Sequence, residues 1–212
     1  MALTLRELEI FKGSALLLSL DVTVDEGEIL TVMGPSGSGK STLLQAIAGH
    51  LDTPFSFSGS ISIDGTNLAS QPPHRRGVGV MFQDALLFEH MTVEQNIMFA
   101  MPSAKYQTKS RKREAVAKLL HAVELDEMQH RVVTTLSGGQ QSRISLLRTL
   151  AAEPQAVLLD EPFSKLDTAL RQHIREWTFT QLRERNIPAL LVTHDSADAV
   201  SAGGQTIELS SC

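Results

Sequence analysis

Gly34-Pro35-Ser36-Gly37-Ser38-Gly39-Lys40-Ser41 follows directly on the apolar run Ile29-Leu30-Thr31-Val32-Met33. The octet fits G-x-x-x-x-G-K-[ST], a phosphate-binding loop set between a strand and a helix. Glycines let the backbone turn tightly and bring its N–H groups close to phosphate oxygens. A helix beginning near Ser41 and Thr42 adds the positive end of its dipole. Lys40 is placed to reach the outer phosphates, and the Ser41 hydroxyl is a Mg²⁺ ligand of the right kind. The loop therefore specifies a nucleoside triphosphate without saying what its energy is used for.

Such a loop needs a distant carboxylate on a strand end to hold the cation. Ala156-Val157-Leu158-Leu159-Asp160-Glu161 supplies one. The apolar run reads as a buried strand that delivers Asp160 to its C-terminal edge, where open α/β sheets bind ligands. Asp160 is the expected second metal residue, acting through water. Glu161 comes next, points to another side, and is free to act on water.

Leu18, Leu20, Val22 and Val24 alternate with Ser19, Asp21 and Thr23, the mark of a half-buried strand. Ser60-Ile61-Ser62-Ile63-Asp64-Gly65 repeats the pattern and ends in a turn. These early segments predict a small antiparallel β part. The continuous apolar runs Glu28 to Met33, Val78 to Phe82, Ala156 to Leu159 and Ala189 to Thr193 predict buried parallel strands. Thr206-Ile207-Glu208-Leu209 reads as an edge strand.

Between Thr92 and Thr135 helical spacing dominates. Thr92 and Gln95 form a capping box. Ala115, Leu119, Ala122 and Val123 fall on one helix face, and Pro102 with Ser103 divides the region. The basic cluster Lys105, Lys109, Arg111, Lys112 and Arg113 reads as a solvated helix face. The expected organisation is one domain over residues 1–212. Its α/β core takes residues 1–82 and 146–212, and its inserted helical lobe takes 83–145.

The chain of 212 residues carries a net charge of −5. There is no broad basic excess, so nucleic acid is not an expected main partner. No apolar run approaches the ~18 residues of a membrane span, and the first residues lack the pattern of a signal peptide. Cys212 is the lone cysteine, reads as a bystander, and fits a reducing compartment.

Leu136-Ser137-Gly138-Gly139-Gln140 is another anion site in physical terms. Ser137 caps a helix, Gln140 completes a capping box, and two glycines expose backbone N–H groups. A helix with periodic Ile144, Leu147 and Leu150 follows. Alone, this would be an ordinary capped helix start. With both phosphate-site motifs in order around it, the chain resembles the ATP-binding cassette (ABC) family of transport ATPases over nearly all its length. The resemblance implies an α/β P-loop NTPase of the ABC type: a mostly parallel core sheet, a small antiparallel β part and an inserted helical lobe.

The resemblance also implies roles. Gln83, after Gly79-Val80-Met81-Phe82, looks like the Q-loop glutamine that touches Mg²⁺ and the attacking water. Ser164-Lys165-Leu166-Asp167 looks like the D-loop, usually Ser-Ala-Leu-Asp, so Lys165 is a departure. His194 looks like the switch histidine that contacts the γ-phosphate. Phe11 stands where an aromatic stacks on adenine, and Ser142 stands where many relatives have Gln. Catalysis would then fall to Glu161, His194, Gln83 and Lys40, and the metal to Ser41, Gln83 and Asp160. ATP would lie between Lys40 and Ser41 of one copy and Ser137, Gly138, Gly139 and Gln140 of another in a head-to-tail homodimer.

The stretch Val80 to Val93 resembles ATPases of binding-protein-dependent importers for iron(III), polyamines, sulfate, molybdate, sugars or thiamine. The implied partners are membrane permease subunits, through a groove near Gln83 with Leu87, Phe88 and Met91 as candidate lining, and a periplasmic or extracellular binding protein. The implied location is the cytoplasmic face of the cell membrane. No regulatory domain is expected after Leu209. Alternatives are an exporter or lipid-extraction ATPase, a non-transport cassette acting on DNA or ribosomes, and a degenerate cassette serving as scaffold.

Overall fold

A computed structural model describes residues 1–209; Cys212 lies outside them. The chain divides into two compact units. The first holds Met1–Val80, Gln155–Glu161 and the chain from Thr178 onward; the second holds Met81–Pro154 and Pro162–Trp177.

The first unit contains two sheets. In the antiparallel one, β1 (Leu3–Lys12) lies between β2 (Ala15–Val24) and β4 (Phe55–Ile63), and β5 (Thr66–Asn67) extends the β4 edge. The alternation predicted for β2 and β4 is present, but the strand between them was not legible as one. Leu3, Leu5, Leu8 and Ile10 are all fully buried, yet their period of two breaks between Leu5 and Leu8. There the register of β1 shifts against both neighbours, and Glu7 takes a φ of 45°. The bulge re-aims the second half of the strand so that both halves face the core. Gly59 on β4 accommodates it, since a Cβ there would lie 2.2 Å from the Glu7 carbonyl oxygen.

The second sheet runs in the order β6 (Val78–Met81), β7 (Ala156–Asp160), β8 (Ala189–Val192), β3 (Ile29–Met33), β9 (Thr206–Glu208). β3 pairs in parallel with β8 and with β9, and β7 pairs in parallel with β8. Every residue of β7 and β8 is buried. That is why they read as continuous apolar runs rather than alternating ones. β9 is the edge strand, as its sequence suggested.

α1 (Lys40–Ala48) follows β3 and buries Leu43, Leu44 and Ile47. They share one apolar core with Leu3, Leu5 and Ile61 of the antiparallel sheet and Leu30, Leu158 and Leu190 of the parallel one. Each such side chain contributes about 1.5–3 kcal/mol by leaving water. That burial anchors the helix whose first turn completes the glycine loop.

The second unit is helical: α2 (Val93–Ala100), α3 (Lys109–Ala122) and α4 (Gly138–Ala151). α5 (Thr168–Glu184) starts in this unit and ends in the first, and α6 (Ser196–Ala202) follows β8. Thr92 and Gln95 form the expected capping box on α2. On α3 the buried line is Val116, Leu120 and, just beyond the helix, Val123. Ala115, Leu119 and Ala122 lie one residue to its side and are half-buried. A helix face is wider than one row of side chains, and the expected line runs along its edge.

The basic cluster departs from a purely solvated face. Lys112 Nζ donates to the Met98 and Met101 carbonyls at 3.2 and 2.8 Å, satisfying acceptors at the end of α2. Arg113 Nε donates to Glu94 at 2.9 Å, and Lys105 Nζ donates to Glu153 at 2.5 Å. Lys109 and Arg111 are exposed, as expected. Among the described residues no helix is long and apolar enough to cross a membrane.

Candidate functional site

The loop Gly34–Ser41 joins β3 to α1. Gly39 occupies the N-cap position of α1 in the left-handed region, with φ 91°. That φ is what calls for glycine; a Cβ there would also press on the side-chain ends of Leu18 and Leu17, at 2.9 and 3.0 Å. No side chain caps α1, and its first turn holds no acid, whereas α2 and α4 each carry a capping box. The first-turn N–H groups of α1 are thus left for an acceptor from outside the helix. A second, independent observation agrees. The Ser38 hydroxyl, on a residue only 2% exposed, has no protein hydrogen-bond partner. Lys40 Nζ donates to the Gly34 and Pro35 carbonyls, both at 2.7 Å, and braces the loop. This is a cradle of donors built for an anion.

The far end of α1 is held by a buried arginine from outside the helix. Arg76, 6% exposed, donates through Nη1 to the Ala46 and Ile47 carbonyls at 3.0 and 2.9 Å, and through Nε to the Gln71 carbonyl at 3.0 Å. A cation on the C-terminal carbonyls of a helix is favourable on dipole and hydrogen-bond grounds together. No motif marks this residue.

The strand ends bring the carboxylates to the loop. Ser41 Oγ donates to Asp160 Oδ2 at 3.1 Å. Burial raises the pKa of the Asp160 carboxyl; the Ser41 hydrogen bond opposes this, the Glu161 charge adds to it, and Lys40 opposes it. A hydroxyl and a carboxylate side by side form an all-oxygen donor pair suited to a hard cation. Among the described residues no cluster of three or more His, Cys, Asp or Glu could hold a metal alone. The chemistry of the Ser41–Asp160 oxygen pair fits a hard cation such as Mg²⁺.

Glu161 has a different partner from Asp160, which accepts from Ser41. Its backbone is in the left-handed region at φ 49°, and its N–H donates to the Val192 carbonyl at 2.9 Å. For a non-glycine residue that conformation costs of order 1 kcal/mol and is a feature of functional turns. Glu161 Oε1 lies 2.6 Å from His194 Nδ1. The carboxylate is 14% exposed and the imidazole 72%. His194 follows β8, beside Thr193, whose hydroxyl donates to Asp198 at 3.0 Å, and Asp195, which caps α6.

In the second unit, Ser137 and Gln140 make the expected reciprocal bonds. The Ser137 N–H donates to Gln140 Oε1 at 2.9 Å, and the Gln140 N–H donates to Ser137 Oγ at 3.3 Å. Ser137 and Gly138 are exposed, while Leu136 is buried and anchors the turn. The Ser142 hydroxyl donates to the Pro162 carbonyl at 3.2 Å. Gln83 is exposed in the segment after β6. Of the candidate groove residues, Leu87 and Met91 are half-buried and Phe88 is exposed, in edge-to-face contact with Phe99. A cavity of about 590 Å³ takes in Met91, Met98, Phe99 and Lys112, but neither Leu87 nor Phe88. Phe11, in the first unit, is half-buried on β1 and pairs with Leu16, 49% exposed, on β2.

A parallel sheet carrying this loop after one strand, and a carboxylate at the end of another, defines a P-loop nucleotide-binding protein. Comparison with known proteins narrows the class. Residues 17–164 match the family model described as ABC transporter. The chain is 44% identical over 185 residues to an uncharacterized ABC transporter ATP-binding protein, YnjD, of Escherichia coli, covering 87% of this chain and 84% of that one. It is 42% identical over 200 residues to the sulfate/thiosulfate import ATP-binding protein CysA of Bradyrhizobium diazoefficiens, covering 93% of this chain but 57% of that one. For CysA of Synechococcus elongatus the identity is 40%, over 89% of this chain and 54% of that one. The chain thus spans a little over half the length of these two CysA relatives. Among solved structures, the ATP-binding cassette MJ0796, a dimer in a post-hydrolysis state with ADP and Pi, superposes with a TM-score of 0.81 at 28% identity, over 98% of this chain and 94% of that one. The chain belongs to the ABC transporter family, as an ATP-binding and ATP-hydrolysing cassette of the P-loop fold.

Proposed function

We propose that this chain is the ATPase subunit of a membrane importer, working as a pair of identical copies docked on permease subunits that receive cargo from a binding protein. The observation that carries the catalytic part is the 2.6 Å contact between Glu161 and His194, at the ends of neighbouring strands. The import direction rests on the likeness to CysA proteins, named for sulfate/thiosulfate import, and on the sequence around Gln83. The permease places the working position at the cytoplasmic face of the membrane.

In this reading the donors of Gly34–Thr42 hold the triphosphate, and Lys40 leaves its two carbonyls to meet the outer phosphates. The paired Phe11 and Leu16 offer an apolar platform for the adenine ring. Ser41 and Asp160 would hold Mg²⁺, with Gln83 assigned to the same ion by the family resemblance; the bound ion would supply charge neutralisation at the phosphates. Glu161 positions and deprotonates water, and His194 fixes the carboxylate and contacts the γ-phosphate. Ser137, Gly138, Gly139 and Gln140 of a second copy present a capped, exposed helix start to the same nucleotide. Residues 83–145 serve as the lobe that receives the permease.

The test is reconstitution in membranes that hold the cognate permease subunits, together with their binding protein. Mg²⁺-dependent ATP hydrolysis, stimulated by loaded binding protein and abolished in Glu161→Gln, is the expected result. Hydrolysis that ignores both permease and binding protein would overturn the importer reading.

A further inference from the structure

The segment that follows Gln83 is gripped from two sides within the second unit. Lys165 Nζ donates to Asp84 Oδ1 at 3.0 Å. Arg148 donates through Nη1 to the Leu86 carbonyl at 2.9 Å and through Nη2 to the Ala85 carbonyl at 3.2 Å. Its guanidinium also lies 5.6 Å from the centroid of the Phe88 ring. Leu86 adopts a φ of 41°, a conformation that a leucine holds only when its surroundings impose it.

Both grips lead back to the turn at Ser137–Gln140. Arg148 is on α4, the helix which that turn begins. Lys165 packs its backbone against the same turn, since a Cβ on Gly139 would lie 2.9 Å from the Lys165 carbonyl oxygen. One residue thus touches the second glycine of the turn with its main chain and the neighbour of Gln83 with its side chain.

We propose that Lys165 and Arg148 are positioning residues that tie the segment Asp84–Leu86, and with it Gln83, to the turn Ser137–Gln140, so that these elements move as one piece. The proposal rests on the reading of Gln83 as a residue that acts at the metal and water. Neither Lys165 nor Arg148 touches nucleotide in this scheme. Lys165 and Asp84 are 38% and 85% exposed, so their ion pair is a weak, salt-sensitive tether. Arg148, with two carbonyl acceptors, is the stronger of the two grips.

The experiment uses the full chain in its permease complex, together with hydrogen exchange on the ligand-free chain. Lys165→Ala and Asp84→Ala should each lower kcat about threefold with KM nearly unchanged, the size of effect an exposed pair can exert. The double variant should be no slower than either single one, and the exchanged pair Lys165→Asp with Asp84→Lys should recover most of the loss. Arg148→Met should cost about tenfold in kcat. Because that variant risks misfolding, exchange is followed in Lys165→Ala: amides of residues 84–88 should exchange faster while those of α4 stay protected. Multiplying losses in the double variant, no recovery on charge exchange, or unchanged exchange at 84–88 would each overturn the proposal. Absence of Mg²⁺-ATP turnover in the unaltered protein would instead sink the ATPase reading, and the exchange measurement would still test the tether.

Discussion

His194 Nδ1 and Glu161 Oε1 stand 2.6 Å apart, although 33 residues separate them in the chain. The contact exists because β7 and β8 are parallel neighbours that deliver their C-terminal ends to one edge of the sheet. The left-handed turn at Glu161 then swings its carboxylate off the strand line.

Glu161→Gln keeps the size of the side chain and removes its basicity. Turnover should fall by at least about 100-fold, while ATP binding survives and a nucleotide-bound dimer accumulates. Single-turnover kinetics and light scattering with Mg²⁺-ATP check both. Undiminished kcat would remove Glu161 from the chemistry.

Asp160→Asn addresses the metal pair and a cost of burial together. A carboxyl whose pKa is raised by folding binds its proton more tightly in the folded chain. Its contribution to stability is therefore lost as pH rises above the ordinary carboxylate range, about 4, and through the raised value. The neutral amide escapes that loss, so the ligand-free variant should melt higher than the unaltered protein at pH 7 and show less decline in Tm as pH rises from 4 to 7. The extra stabilisation that Mg²⁺ adds to bound ATP should disappear. Melting curves across pH, with and without Mg²⁺-ATP, decide the matter; a lower Tm at pH 7 would contradict the assignment.

Arg76→Met retains the apolar stem and deletes three donated hydrogen bonds. Stability should drop by about 3 kcal/mol, because carbonyls that charged donors satisfied lose them in a buried place. Urea unfolding measures it. ATP affinity should weaken far less, since α1 keeps its buried Leu43, Leu44 and Ile47.

Gly59→Ala would press a methyl carbon against the Glu7 carbonyl at a position whose φ is 82°. A loss of about 3 kcal/mol is expected, at the upper end for a single substitution. Gly65→Ala, where a Cβ meets nothing within 4 Å, carries only the strain of its φ of 75° and should cost clearly less. Comparable losses in the two variants would show that the bulge, as described, does not govern the site.

Much of the α/β core was legible because its signals are local. β7 and β8 are apolar throughout since both faces are covered, and the glycine loop advertises the strand before it and the helix after it. The capping boxes at Thr92–Gln95 and Ser137–Gln140 were readable for the same reason: donor and acceptor are three residues apart. β1 is not legible as a strand, since its bulge divides one buried strand into two half-strands of opposite phase, and periodicity carries no phase correction. The buried line on α3 was misplaced by one residue because only the neighbour's packing tells the centre of an apolar face from its edge.

Short stretches of this chain set the chemistry on offer: an anion cradle at Gly34–Ser41, a carboxylate pair at Asp160 and Glu161, and a capped helix start at Ser137. Those are properties of neighbours along the backbone. Which groups meet is set by packing across the fold: Ser41 with Asp160, Glu161 with His194, Arg76 with the end of α1, and Lys165 with Asp84. A hydrogen bond across a sheet or between loops depends on strand order and register, and these follow from how the whole apolar surface is buried rather than from any short stretch of residues.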